Sequence, residues 1–304
     1  MGRRGMSHRL RTLLFVPADR PDRIPKAAAA GADGIAVDLE DAVAVSRKDE
    51  ARAGLAPALA ALPAGGPVVA VRVNAVDTGL AEADVAALEP VLARVDLVVV
   101  PMCSGPSAVR AVAALLDRAE ARAGLEPGRT GLLPLVETAA GVAEARAIAA
   151  ADPRVRTLTF GPADLSNELG VTPTADGDEL FVARSTVVLG AAAAGRVGPI
   201  DGPYLDLDDA EGLARSAARA RRLGFAGKQV IHPRQIPVVA AAFAPTEEQL
   251  RWARRVDEAF REAEAAGVSS LRLDDGTFID YPIAHRARAL LAQGSDPPRR
   301  TPPA

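Results

Sequence analysis

Along the chain, short runs of Val, Leu and Ile alternate with longer alanine-rich stretches in which apolar residues recur every three to four positions. The runs read as buried strands and the stretches as amphipathic helices. Eight strands are predicted: RTLLFVP (11–17), GIAVDL (34–39), VVAVRVN (68–74), DLVVVPM (96–102), GLLPLVE (131–137), RTLTFGP (156–162), GPIDGPYLD (198–206) and GKQVIHP (227–233). Helices are predicted after each, over 22–31, 47–62, 81–93, 106–123, 140–150, 179–194, 208–223 and 235–243. Repeated strand–helix alternation requires right-handed crossovers onto a parallel sheet. Eight units between residues 11 and 245 match a closed (β/α)8 barrel, a fold of ~250 residues. The predicted fold class is therefore α/β, a (β/α)8 TIM barrel. A charged amphipathic helix around Trp252 (247–267), read as lid support or subunit contact, and the segment to residue 292 are predicted to form a C-terminal helical extension over 246–292. Residues 1–10 read as a flexible arm and the proline-rich 293–304 as a disordered tail. An open doubly wound sheet is the alternative, but no G-x-G-x-x-G follows a strand, and GKQVIHP does not continue as a P-loop helix.

In such a barrel the C-terminal strand ends share one mouth, where active sites of this fold lie. Polar residues collect at those ends. Strand one runs into Asp19 and Arg20, strand two into Asp38, Glu40 and Asp41, and strand three carries Arg72 and Asn74. Strand five ends at Glu137, strand six leads through FGPADL to Asp164, and strand eight ends at His232. Clustered like charges repel, so stability alone does not account for them. Glu137 and Asp164, on adjacent strands, could hold a hard cation such as Mg²⁺, which needs few protein ligands. Equally, Glu137 could sit in a first helical turn and Asp164 could cap the LSNELG segment. A lone histidine such as His232 more often makes a structural hydrogen bond than binds a metal.

Composition narrows the partners. The chain has 304 residues, 49% hydrophobic and 25% charged, with a formal net charge of −3 and scattered basic residues, so no electrostatic footprint of a nucleic-acid binder appears. No apolar run approaches the ~20 residues that span a bilayer. The single cysteine, Cys103, excludes an internal disulfide and suits a reducing, cytoplasmic setting. No His or basic cluster beside it in sequence would activate its thiol. A small-molecule partner is expected.

Six motifs carry a resemblance: LLFVPADRPDRIPKA (13–27), DGIAVDLEDAV (33–43), VRVN (71–74), PLVETAAGV (134–142), FGPADLSNELG (160–170) and GFAGKQVIHPRQI (224–236). In order and spacing they resemble the HpcH/HpaI aldolase and citrate lyase beta-subunit family, and within it the CoA-ester lyases that act on malyl-CoA or citramalyl-CoA. The resemblance implies a Mg²⁺-dependent (or Mn²⁺-dependent) carbon–carbon lyase acting on a CoA thioester and a 2-oxo acid, assembled as a homo-oligomer, trimer or hexamer. It implies Glu137 and Asp164 as metal ligands and Arg72 as the contact to the substrate's oxygens. Glu40 and Asp41 become the acidic pair near the metal. Phe15, Arg20, Lys26, Asp38 and His232 fall among the substrate- and CoA-binding positions, Arg20 and Lys26 with the CoA phosphates. Asp280, in IDYP, matches the lid aspartate that reaches a neighbouring subunit's site and serves as general acid/base; its alternative is a cap on the helix that follows. One departure stands out: Met102 replaces a lysine common after the strand-four proline. Thioester hydrolysis, a citrate-lyase-like subunit working on an acyl carrier protein, and a non-catalytic CoA-ester binder are the other activities compatible with these residues.

Overall fold

The computed structural model describes residues 10–294. The predicted arm, but for its last residue, and the tail from residue 295 lie outside the described residues. The chain divides into two compact units, residues 10–243 and 244–294.

The first unit is a closed eight-stranded barrel in which every neighbouring pair is parallel and β8 returns to β1. Its strands are β1 (Thr12–Pro17), β2 (Gly34–Asp38), β3 (Val68–Arg72), β4 (Leu97–Val100), β5 (Gly131–Val136), β6 (Thr159–Phe160), β7 (Ile200–Asp201) and β8 (Gly227–Val230). The helices are α1 (Ile24–Ala29), α2 (Lys48–Ala60), α3 (Ala81–Leu88), α4 (Pro106–Arg122), α5 (Ala139–Ala143), α6 (Ala145–Ala149), α7 (Pro162–Leu169), α8 (Phe181–Ala193), α9 (Ala210–Leu223) and α10 (Gln235–Phe243).

Several predicted boundaries are corrected. GPIDGPYLD keeps only Ile200–Asp201 as strand, because Pro199 and Pro203 have no N–H for a ladder. RTLTFGP likewise shortens to Thr159–Phe160 before Pro162 opens a helix. The helix expected over 140–150 is two five-residue helices. That expected over 22–31 begins as a 3-10 turn at Pro21–Arg23, and the end of 81–93 is 3-10 helix over Glu89–Arg94. A further helix, α7, lies between β6 and the helix expected from residue 179.

Alternation along the strands builds two apolar layers. Leu13, Ala36, Ala70, Leu97, Val99, Leu133, Leu135 and Ile200 fill the barrel, with Phe15 and Val68 packed against them. Their neighbours, including Val16, Ile35, Val37, Val71, Val98 and Leu132, pack outward in the larger cluster shared with the helices. The second unit contains α11 (Glu247–Ala265), a two-stranded antiparallel hairpin of β9 (Leu271–Arg272) and β10 (Phe278–Ile279), and α12 (Tyr281–Gly294). Its helix α11 opens with a capping box between Thr246 and Gln249. Ala253, Val256, Phe260, Ile279, Ala284 and Ala287 form its core. Among the described residues no helix is long and apolar enough to cross a membrane.

Candidate active site at the barrel mouth

The inner face of each strand continues into the mouth. Two residues beyond Ala36, Ala70 and Leu135 come Asp38, Arg72 and Glu137, so the alternation that fills the barrel also aims these side chains at its upper end. Asp38 and Arg72 are register partners across β2 and β3. Their contact is bidentate, Nε to Oδ1 at 2.8 Å and Nη2 to Oδ2 at 2.5 Å. The remaining nitrogen, Nη1, lies 2.7 Å from Glu40 Oε2 and 3.7 Å from Asp41 Oδ2. The Arg72 guanidinium also sits 5.3 Å from the centre of the Phe15 ring.

The loop after β2 is held from several sides. Asp38 accepts the Glu40 N–H at 2.9 Å, and the buried Lys48 donates to the carbonyls of Leu39 (2.8 Å) and Glu40 (3.1 Å). Asn74 donates to the Leu39 carbonyl at 3.1 Å and is itself fixed by Asp84. The acidic loop is therefore rigid before any ligand arrives.

Glu137 directly precedes Thr138, whose hydroxyl accepts the Gly141 N–H and caps α5. The glutamate thus precedes the cap and lies outside the first turn of α5. It is buried, and its Oε1 accepts the Met102 N–H at 2.7 Å. Against it lies Gly161, where a Cβ would fall 2.5 Å from Glu137 Oε2. Met102, at φ +51°, is the only non-glycine residue with positive φ among the described residues. Asp164 is half-buried in the first turn of α7, where the helix dipole favours a carboxylate.

Burial raises the Glu137 carboxyl to about 8; the Met102 N–H opposes this, and the charges of Glu40 and Asp164 reinforce it. Glu40 is raised to about 7, mostly by burial against the pull of Arg72, with Asp41, Asp38 and Asp164 adding repulsion. Burial alone would weaken proton binding by Arg72, but Asp38 and its neighbours outweigh it and hold the guanidinium charged. Glu40 Oε2 is buried with no hydrogen bond and meets Arg72 as an ion pair. The mouth thus gathers Phe15, Asp38, Glu40, Asp41, Arg72, Glu137 and Asp164 into one excess of carboxylate.

No group of three or more His, Cys, Asp or Glu side chains forms a metal cage among the described residues. The donors present nevertheless fit a hard cation that keeps several waters: Glu137, buried and proton-hungry, feels the charge of Asp164, beside a buried Glu40 oxygen that has an ion pair to Arg72 but no hydrogen bond. A divalent ion would offset the burial that chiefly raises Glu137 and Glu40, and with it the smaller repulsion from Asp164.

The other predicted residues make contacts of their own. Arg20, half-buried before α1, and Lys26, exposed within it, are loosely paired with Asp22 at 3.4 and 3.9 Å. His232 Nδ1 accepts the Arg234 N–H at 3.1 Å and shapes its own loop. Asp280, in the second unit, accepts the Ile283 N–H at 3.1 Å at the start of α12, the geometry of a cap. Cys103 is buried, and burial followed by the charge of Glu137 pushes its thiol up to about 12, so it is no nucleophile. The Met102 amide, Gly161 and Lys48 were missed as site residues. Of these, only Met102 was marked in the sequence, as a departure from the usual lysine.

Fold and mouth together define a barrel enzyme built around buried carboxylates and one clamped arginine. Residues 11–233 match the HpcH/HpaI aldolase/citrate lyase family. The chain is 33% identical to the citrate lyase subunit beta of Leuconostoc mesenteroides subsp. cremoris, covering 92% of each chain. It is 32% identical to the mitochondrial citramalyl-CoA lyase of Rattus norvegicus, covering 92% of this chain and 85% of the relative. Its structure resembles that of CitE from Mycobacterium tuberculosis in complex with magnesium, acetoacetate and coenzyme A, with a TM-score of 0.78 and 34% identity over 95% of this chain and 100% of the other. The protein belongs to the HpcH/HpaI aldolase/citrate lyase family, and it is an enzyme of the lyase class.

Proposed function

We propose that the protein cleaves, and in reverse forms, the bond between the α and β carbons of a 3-hydroxyacyl-CoA thioester such as malyl-CoA, citramalyl-CoA or citryl-CoA, giving an acyl-CoA and a 2-oxo acid. The observation that carries this reading is the mouth itself, where Arg72, held on Asp38 and Glu40, shares its electrostatic surroundings with Glu137 and Asp164. The similar structure with magnesium, acetoacetate and coenzyme A supports the same assignment of ligands. Glu137 and Asp164 would hold Mg²⁺, or Mn²⁺ in its place. When bound, the cation supplies Lewis-acid polarisation of the oxo-acid oxygen and neutralises the negative charge that develops there.

The chain's own groups do the rest. Arg72 binds the carboxylate of the acid end and stabilises the oxyanion that becomes the new carbonyl. Asp38 and Glu40 fix its orientation, and Asp41 adds charge at the rim. Asp280 of a neighbouring copy takes the hydroxyl proton as the carbon–carbon pair passes to the thioester enolate, then returns it to the enolate carbon. Arg20 and Lys26 meet the CoA phosphates, Phe15 keeps the Arg72 side chain in place, and His232 shapes the loop beside the acyl group. This scheme calls for a homo-oligomer, trimer or hexamer. The one buried cysteine suits action in the cytoplasm.

The test is incubation with Mg²⁺ and a panel of 3-hydroxy dicarboxylyl-CoA esters, following free thiol and 2-oxo acid separately, with Asp280→Asn alongside. Oxo acid without thiol, lost with chelator and in the variant, is the expected result. Thiol release with free hydroxy acid would make the protein a thioesterase. No turnover would favour a carrier-protein substrate or a non-catalytic barrel.

A further inference from the structure

Met102 combines three features found together nowhere else among the described residues. Its backbone is left-handed at φ +51°, a conformation that glycine adopts freely and a long side chain does not. Its N–H holds the buried Glu137 carboxylate at 2.7 Å. The residue is 41% exposed and, through that N–H, stands next to Glu137 at the mouth. A backbone that needed only to present this N–H would do so with less strain as glycine, which already occupies the close approaches at Gly141 and Gly161. Strain of this kind persists where a side chain has work to do. The flanking side chains cannot do it: Cys103 is buried with its Sγ 3.2 Å from the Val100 carbonyl, and Ser104 is tied to Thr138.

From this we infer that the Met102 thioether is a specificity-determining contact: it forms an apolar wall for the substituent of the 2-oxo acid bound beside Glu137, and so selects an alkyl-bearing acid over one carrying hydrogen or a second carboxylate. The inference rests on the lyase reading and deepens it by naming the substrate class. An exposed, flexible thioether suits a methyl or ethyl group, whereas a carboxylate there would lose hydration without gaining a partner. One methylene in such a pocket is worth about 10–200-fold in discrimination.

Calorimetric titration of glyoxylate, pyruvate, 2-oxobutyrate and oxaloacetate into the Mg²⁺-loaded full-length protein tests this without requiring turnover. Met102→Gly keeps the left-handed backbone and the N–H but removes the side chain. Met102→Asn keeps the backbone, since Asn tolerates this region, and puts a polar group in its place. The expected result is that pyruvate or 2-oxobutyrate binds at least about tenfold more tightly than glyoxylate or oxaloacetate. In both variants that preference should fall to about threefold or less, with Mg²⁺ affinity held within about twofold. A wild-type preference for glyoxylate or oxaloacetate would overturn the inference, as would a preference that survives both substitutions. Loss of Mg²⁺ binding in both variants would also overturn it, because Met102 would then act only through Glu137. Failure of the lyase reading looks different: no ester is cleaved and no oxo acid binds to the wild type.

Discussion

Two buried carboxylate–arginine clusters stand at opposite ends of this barrel. At the N-terminal end, just before β5, Glu120 accepts the N–H groups of Gly128 and Thr130, both at 2.8 Å, and the Arg154 guanidinium at 2.9 and 2.6 Å. Arg154 also donates to the Thr130 carbonyl and to Asp117. Those partners outweigh burial and hold the Glu120 carboxyl below its usual range. At the mouth, Glu137 is buried with one hydrogen-bond donor and Glu40 is mostly buried with an ion pair but no hydrogen bond at Oε2, and their carboxyls are pushed up to about 8 and 7. The same residue types therefore do opposite work: a satisfied cluster stabilises the fold, and an unsatisfied one waits for a ligand.

The sharpest way to break this comparison is to remove one carboxylate from each end. Glu120→Gln leaves the buried Arg154 short of its charge partner and should cost about 3–5 kcal/mol by urea denaturation, with activity per folded molecule unchanged. Glu137→Gln should lower turnover by about 10²–10³-fold, the scale of one lost transition-state stabilising group, while the metal-free protein becomes no less stable. A large stability loss in Glu137→Gln would show that the mouth, too, is structural.

pH should separate the two ends by sign. For Glu137 and Glu40 the folded state holds protons that the unfolded chain releases near 4.5. Stability of the chelator-treated protein should therefore fall as pH rises from about 4.5 towards 8, by a few kcal/mol, and then level off. Glu120, with its lowered value, contributes the reverse: its stabilisation is complete above 4.5 and is lost as pH falls through the folded-state value. Urea midpoints across pH for the wild type and for Glu40→Gln should show the mouth's downward slope shrinking in the variant. The smallest effect is expected for Gly161→Ala, whose Cβ would crowd Glu137 Oε2. Mg²⁺ binding should weaken about tenfold, with the fold intact by circular dichroism.

The barrel was legible because each strand is an apolar run and each helix repeats at a helical period. It became illegible where proline or glycine cut a ladder short, as in GPIDGPYLD, and where a single expected helix broke in two after Thr138. The charged residues of the mouth were legible because they stand at strand ends, one step beyond the inner-face alternation. Gly161 was not, because it acts through the absence of a Cβ, and Met102 showed only as a departure from the usual lysine, since its backbone N–H leaves no side-chain signal. Lys48 was hidden for another reason: its partners are the carbonyls of Leu39 and Glu40, which no pattern of side chains announces.

The central claim is that the mouth carboxylates hold protons that a divalent cation displaces. Calorimetric titration of Mg²⁺ at pH 7, in two buffers of different ionisation enthalpy, counts those protons directly. Release of about one to one and a half protons per ion bound, cut by about two thirds in Glu137→Gln to what Glu40 supplies, is predicted. Binding without proton release, or no binding, would contradict the account.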